Sequence, residues 1–252
     1  MKQRSHDDTD MSKRIGMFAK AITKPDIETM QTAADIKKKI LSFVDGMDET
    51  VLVSEDEKNH LRALCDELCP MTPTPRPIEQ QEVPEGVWLT RFASFGAKHS
   101  DNQPPQHDTN LMLQSFGNLP KVPARVTKLH QEIEQASKAY NNVVYVQNPA
   151  GDTKAVIVLE GVYSGDEENP QRYSVAFHRV GLRALDGQSD DELRAGFGIN
   201  ADTPLSKEFR PPKLHSDIVY VDDDIRINYG SLGGFYLLQR INTPGFSVPL
   251  NP

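Results

Sequence analysis

Apolar residues along this chain follow two different periods, one before Pro70 and another after Pro84. In the first part they recur every three or four residues, which is the spacing of one helix face. In the second part they alternate with polar residues in short segments, which is typical of β-strands. The stretch between them, residues 70–84, holds five prolines and indicates an extended connector. The pattern therefore predicts a helical segment followed by a mainly β domain.

Two amphipathic helices are predicted within residues 29–70. The first carries apolar residues at helical spacing, namely Ala33, Ile36, Ile40, Leu41 and Val44. The second begins with a capping box, in which Ser54 and Glu57 satisfy each other's backbone N–H groups, and it ends at Pro70. Because two short amphipathic helices cannot bury their faces alone, we expect this helical hairpin to pack on the β domain.

Eight strands are predicted in the second part of the chain. They cover about 86–95, 125–133, 141–148, 153–163, 171–183, 216–222, 225–229 and 233–241. Hairpin loops favour antiparallel neighbours, and only one short helix, at residues 189–197, is predicted among the strands. We therefore expect a mainly β fold, an antiparallel β-barrel of about eight strands preceded by the helical hairpin. A barrel of this size just holds one small ligand.

These patterns divide the chain into four segments. We expect a mobile N-terminal segment over residues 1–28, the helical hairpin over 29–70, the Pro-rich connector over 71–84 and the barrel over 85–247.

Charge and hydropathy exclude several classes of protein. The net charge of −8 and the pI near 5.4 argue against nucleic-acid binding and against strong attraction to anionic lipid. No apolar run is long enough to span a bilayer, and the charged residues 1–10 resemble neither a signal nor a transit peptide. We expect a soluble, cytoplasmic protein for which peripheral membrane association through an apolar surface stays open.

Two sequence motifs resemble those of one known family. Gly86-Val87-Trp88 opens the first strand after the Pro-rich connector. The run from Tyr220 to Ile227 holds an acidic turn before an Arg, and Gly230, Gly233 and Phe235 follow it in a glycine turn and an aromatic strand. Together they resemble the plastid lipid-associated protein (PAP)/fibrillin family over roughly residues 34–241. That resemblance implies a lipocalin-like barrel that holds apolar small molecules.

The chain departs from the family pattern at two places. Tyr229 stands where the family often has Arg before Gly, and Cys69-Pro70 replaces the usual Asn-Pro.

The resemblance also implies how the barrel closes. Lipocalins commonly place an Arg of the last strand over the Trp of the first, which here pairs Arg240 with Trp88 by a cation–π contact. The acidic run could form a metal or catalytic carboxylate site, but a tight turn neutralised by Arg226 is favoured, because adjacent strand residues point to opposite faces. The residues predicted to close the barrel are Gly86, Trp88, Asp222, Asp224 and Arg240.

The inward strand faces are the predicted binding site. Their large side chains are Trp88, Phe92, Tyr145, Ile157, Leu159, Tyr173, Val175, Phe177, Phe235 and Leu237. Arg226 or Tyr220 near the mouth is expected to orient a head group. Periodicity alone does not separate a hollow barrel from one that these side chains fill.

Other reactive residue types lack a specific pattern. Metal-ligand types occur at His99, Asp101, His107 and Asp108, but their spacing matches no zinc pattern, so we expect a solvated, mobile loop. Cys65 and Cys69 have neither a redox nor a zinc spacing and are expected to pack as small apolar residues. We predict no metal site, no cofactor and no catalytic residue.

The sequence favours a non-enzymatic protein that binds or carries a hydrophobic small molecule, such as an isoprenoid, quinone, carotenoid or fatty-acid-like lipid. Two alternatives stay open. A filled barrel would act as a scaffold for a protein partner that the sequence leaves unknown. A lipocalin-type enzyme would use His130, His178 or Tyr173 as an acid or base on an apolar substrate.

Overall fold

The computed structural model of the protein describes most of the chain outside the two ends. The described residues are 31–47, 53–78, 83–94, 111–116, 119–208, 210, 214–231 and 233–242. The predicted N-terminal segment 1–28 and the polar loop with His99, Asp101, His107 and Asp108 lie outside them.

Within this part of the chain, three α-helices and ten strands are present. The helices are α1 (Ala33–Asp45), α2 (Glu55–Leu68) and α3 (Asp190–Phe197). The strands are β1 (Gly86–Ser94), β2 (Leu111–Met112), β3 (Pro123–Glu134), β4 (Ala139–Gln147), β5 (Lys154–Gly165), β6 (Arg172–Ala184), β7 (Ser206–Glu208), β8 (Leu214–Val221), β9 (Ile225–Gly230) and β10 (Phe235–Ile241). Short 3-10 helices occupy Cys69–Met71 and Leu113–Phe116.

Eight of these strands close into an antiparallel barrel. Their order is β1-β10-β9-β8-β6-β5-β4-β3, and β3 pairs back onto β1 between Gly86↔Ile133 and Leu89↔His130. The short β2 and β7 add to β3 and β6. Closure gives each of the eight strands a paired neighbour on both sides over at least part of its length, which limits edge-to-edge aggregation. The predicted fold class, a mainly β barrel of eight strands after two helices, is confirmed.

Helices α1 and α2 pack on the outer surface of the barrel. Their buried side chains include Ile36, Ile40, Leu61, Cys65 and Leu68. These contact an apolar outer face whose members are Phe92, Tyr220, Ile225, Ile227, Phe235 and Leu237. We call this cluster the outer core. The strands β1, β8, β9 and β10 therefore bury residues on both faces.

The helical hairpin contains the predicted capping box and two free cysteines. Ser54 and Glu57 form the predicted capping box at the start of α2. Cys65 is buried in the outer core and Cys69 is half-buried, and both thiols are free. Burial raises the pKa of both thiols, that of Cys69 to about 11, so neither is an activated nucleophile at neutral pH.

Helix α3 covers one end of the barrel. A second capping box, between Ser189 and Glu192, begins it, and Leu193 and Phe197 are its buried residues. They pack against inward-facing apolar side chains at the end where β3 begins and β6 finishes, namely Val126, Val144, Val146, Ala155, Ile157, Val180 and Leu182. This end of the interior is therefore a filled core.

Candidate functional site

A cavity of about 230 Å³ lies inside the barrel, between the α3 end and the Trp88 end. Its walls are apolar and come from inward positions of β3 to β6, which include Leu129, Val144, Leu159, Val175 and Phe177. Its mouth is formed by the start of β8 and the β9–β10 turn, which contribute Leu214, His215, Ser216, Gly230, Ser231 and Gly234.

The floor of the cavity is polar. Asn228 Nδ2 donates a hydrogen bond to the Tyr173 hydroxyl at 2.8 Å, and the hydroxyls of Tyr173 and Tyr140 lie 3.2 Å apart. Gln131 and Asn142 complete this floor. Burial raises the pKa of Tyr140 well above its ordinary value, so its phenol keeps its proton at neutral pH. The cavity is therefore an apolar space that ends on neutral hydrogen-bonding groups.

Arg226 lies directly beneath this floor. It is fully buried because residues alternate along β9, where Arg226 and Asn228 point inward and Ile227 points into the outer core. Its Nη2 donates to the side-chain oxygen of Gln131, and its guanidinium carbon lies 4.8 Å from the ring centroid of Trp88. Its Nε and Nη1 atoms have no hydrogen-bond partner in the part of the chain that the structure describes.

Arg240 also lies at this closed end of the barrel, against Trp88. Its guanidinium carbon lies 4.2 Å from the Trp88 ring centroid, which is the contact that the lipocalin resemblance implies. It also donates to the backbone oxygens of Glu85, at 2.6 Å, and of Asp223, at 3.0 Å. Gly86 has a φ of +131°, and a Cβ there would lie 2.6 Å from Arg240 Nη1, so glycine is needed at this position. Their role in closing the barrel stays a prediction.

The family follows from the sequence that builds this barrel. The PAP_fibrillin family model matches residues 34–239, a range that runs from the start of α1 into the last barrel strand, β10. The chain belongs to the PAP/fibrillin family. The family that the two sequence motifs indicated is therefore confirmed.

A curated PAP/fibrillin relative agrees with this assignment. The probable plastid-lipid-associated protein 2, chloroplastic, of Arabidopsis thaliana is 22% identical over an alignment 245 residues long. The alignment covers 86% of this chain and 74% of the relative. No solved structure matches the chain significantly. The relative's printed name places that protein in the chloroplast, which does not fit our plain cytoplasmic expectation. None of the helices in the described part of the chain has the length and apolarity to cross a membrane.

The predicted site residues of this PAP/fibrillin protein divide into two groups. Tyr173 and Phe177 line the cavity, as do Leu159 and Val175. Trp88 and Arg226 lie in the closed end below the floor, and Ile157 belongs to the core under α3. All of these residues point inward, but only the first group lines the cavity. Arg226 was expected near the mouth, whereas it lies at the closed end against Trp88.

Four expected inward residues face outward, which corrects their predicted placement. Phe92 lies in the outer core because a β-bulge between Thr90 and Phe92 shifts β1 by one residue. Phe235 and Leu237 also lie in the outer core, because Tyr236 and Leu238 are the inward residues of β10. Tyr145 packs outside the barrel, with its ring centroid 5.7 Å from that of His130.

The acidic turn differs from the prediction in its partner. Lys37 of α1, not Arg226, pairs with Asp222 at 3.0 Å and with Asp224 at 3.5 Å. Tyr220 does not reach the mouth; its hydroxyl donates to Asp222 at 2.9 Å on the outside of the barrel. The turn therefore links the helical hairpin to the barrel.

The candidate acids and bases are mostly remote from the cavity. His130 is buried outside the barrel, 3.0 Å from Glu132, and His178 is exposed. Tyr173 is the candidate that lies in the cavity. Among the described residues, no three His, Cys, Asp or Glu side chains gather as a metal site.

The sequence interpretation missed the polar floor. Of its members only Tyr173 was predicted, and Gln131, Tyr140, Asn142 and Asn228 were not. A signal was present, because Arg226 and Asn228 are polar residues two apart in a strand whose other positions are apolar. Such a pair places both polar side chains on one face of the strand.

Proposed function

We propose that this protein binds an apolar small molecule or lipid in the barrel cavity and does so without catalysing a reaction. The observation that carries the proposal is the cavity of about 230 Å³ with walls of apolar side chains. Each 100 Å² of apolar ligand surface removed from water would contribute roughly 2.5 kcal/mol. Membership of a family with a plastid-lipid-associated relative supports the same class of ligand.

The size of the cavity limits what it can enclose. A volume of 230 Å³ equals about eight water-sized volumes of 30 Å³ each. Pockets that enclose drug-sized ligands are larger, about 300–1,000 Å³. We therefore propose that one end of the ligand enters the cavity and that the rest of a long chain leaves through the mouth.

The geometry favours binding over the two alternatives. A scaffold with a completely filled barrel does not need this cavity. An enzyme needs a group that exchanges a proton at the reacting atoms near neutral pH. At the polar floor, burial holds the pKa of Tyr140 well above that range and raises that of Tyr236 to about 12, and the histidine that lines the cavity, His215, lies at its mouth. We propose peripheral membrane contact during loading, and no protein partner is assigned.

A pair of variants on one strand tests the proposal. Leu159 faces the cavity, whereas Val162 is exposed on the outer side of β5. Leu159→Trp should fill the cavity and weaken binding of the neutral probe N-phenyl-1-naphthylamine at least tenfold in a fluorescence titration. Val162→Trp adds the same bulk outside and should leave the affinity within about twofold of the original protein.

Circular dichroism and thermal melts would establish that both variants are folded. Saturable binding of one probe per chain, lost only in Leu159→Trp, supports the proposal. Absence of binding by the unaltered protein, or equal binding by both variants, contradicts it.

A further inference from the structure

We infer that the natural ligand is a singly charged amphiphile whose carboxylate enters the barrel first and lies at the polar floor above Arg226. The inference rests on the proposed function and names the class of head group that the cavity takes.

Arg226 is a buried charge without a counter-charge. It is 0% exposed, and no carboxylate lies within salt-bridge distance of it among the described residues. By contrast, Arg172 pairs with Asp217 at 2.7 Å although both are partly exposed. A buried ion is strongly destabilising unless it is paired. The unpartnered Nε and Nη1 atoms of Arg226 therefore point to an anion that the chain itself does not supply.

The floor offers further donors next to that charge. Gln131 uses its side-chain oxygen to accept from Arg226, so its NH₂ group remains for the cavity that it lines. Tyr140 and Tyr173 share one hydrogen bond, which uses only one of their two O–H groups. Whichever phenol donates in that bond, the other still has an O–H for a ligand.

Two buried acceptors at the floor indicate that a bound head group is hydrated. The side-chain oxygens of Asn142 and Asn228 are buried and have no hydrogen-bond partner among the residues described. Water molecules that accompany a carboxylate can donate to both oxygens, because an ordered water makes two to four hydrogen bonds. An uncharged apolar ligand would bring neither these waters nor a negative charge near Arg226.

The direction of entry follows from β9. Arg226, Asn228 and Gly230 alternate inward from the closed end to the mouth, and inward residues of a strand are separated by about 7 Å. A head group that enters past Gly230 therefore reaches the floor beside Asn228, one strand step from Arg226. The aliphatic chain then lies against Leu159 and Val175. A single cation matches a singly charged carboxylate better than a doubly charged phosphate ester.

Calorimetric titrations with three probes of equal chain length test the inference. Octanoate, octan-1-ol and octyl phosphate are titrated at pH 8, where the carboxylic acid is ionised. The unaltered protein should bind octanoate at least tenfold more tightly than octan-1-ol and more tightly than octyl phosphate. Arg226→Gln should remove the preference for octanoate while the affinity for octan-1-ol changes by less than about threefold.

A second variant and a control keep the test decisive. Gln131→Glu places a fixed carboxylate beside Arg226, so it should remove the same preference even if Arg226→Gln does not fold. Arg125→Gln makes the same arginine-to-glutamine change at a half-buried position on the outside of β3, beyond the cavity, and should keep the preference.

The two proposals fail in different ways. Equal affinity for octanoate and octan-1-ol, a preference for octyl phosphate, or a preference that survives both variants would overturn the carboxylate inference and leave cavity binding intact. No binding of octan-1-ol, octanoate or N-phenyl-1-naphthylamine would overturn cavity binding together with the inference.

Discussion

Asp222 shows how one side chain can hold a turn and fasten a helix to the barrel. Its Oδ1 accepts from the backbone N–H groups of Asp224 and Ile225, both at 2.8 Å. Its Oδ2 accepts from Lys37 at 3.0 Å and from the Tyr220 hydroxyl at 2.9 Å. Burial acts to raise the pKa of this carboxyl, but these four donors outweigh it, so the pKa lies below its ordinary value.

This arrangement predicts an acid-dependent loss of stability. Because the folded-state pKa of Asp222 is depressed, its contribution is present above the unfolded-state pKa of about 3.9 and is lost as pH falls through the folded value. Asp222→Ala should lower the free energy of unfolding by about 1–3 kcal/mol at pH 7, because buried donors lose a charged acceptor. Asp222→Asn, which can still accept from the turn, should lose less and should flatten the dependence on pH below about 4.

Urea denaturation between pH 3 and pH 7 measures both effects. Asp223→Asn is the matched control, since Asp223 is the exposed neighbour in the same turn. Equal pH profiles for Asp222→Asn and the unaltered protein would show that the turn does not depend on this charge.

At the scale of elements, the contact between α3 and the β4–β5 turn leaves no room for a side chain. A Cβ on Gly196 would lie 2.0 Å from Thr153 Oγ1 and 2.6 Å from Thr153 Cβ. Asn148 Nδ2 also donates to the backbone oxygen of Gly196 at 2.8 Å. The helix backbone therefore docks directly on the turn and closes this end of the barrel.

Gly196→Ala tests this docking, because helix propensity and packing change the free energy of unfolding in opposite directions. Alanine alone stabilises a helix relative to glycine by about 0.5–1 kcal/mol. Overpacking against Thr153 costs about 1–3 kcal/mol, and we expect it to dominate, so the free energy of unfolding should fall. Urea denaturation measures the change, and a more stable variant would refute the close contact.

The elements themselves were largely predictable, because each begins or ends with recognisable chemistry. The capping boxes at Ser54 and Ser189 placed α2 and α3, and turn residues separated the strands. Which strand face points inward was less predictable. The bulge after Thr90 reverses the face of Phe92, and a shift of one residue exchanges the two faces of any strand.

The two-sided burial of the barrel explains why the candidate site could be predicted only in outline. Where α1 and α2 cover the outside, both faces are apolar, so hydrophobicity did not separate Phe235 and Leu237 from the inward Tyr236 and Leu238. In β4, the continuous apolar run Val143–Val146 has the same effect. The sequence predicted that a site lies inside the barrel, but the polar floor depends on pairing between distant strands.

At the scale of the whole molecule, one layer of strands separates two apolar regions. The cavity lies inside and the outer core lies outside, beneath α1 and α2. Ligand binding should therefore change the magnetic resonance signals of the inward methyl groups and not those of the methyl groups beneath α1 and α2. This separation is the central claim, because a lipid could also associate with an outer surface and leave the cavity empty.

Methyl nuclear magnetic resonance with N-phenyl-1-naphthylamine tests it most directly, because the aromatic rings of the probe shift nearby methyl signals. On saturation, we predict the largest changes at the cavity methyl groups of Leu129, Val144, Leu159 and Val175. The methyl groups of Ile36, Ile40 and Leu61 in the outer core should change little. Largest shifts in the outer core, or no shifts at saturating probe, would contradict ligand binding inside the barrel.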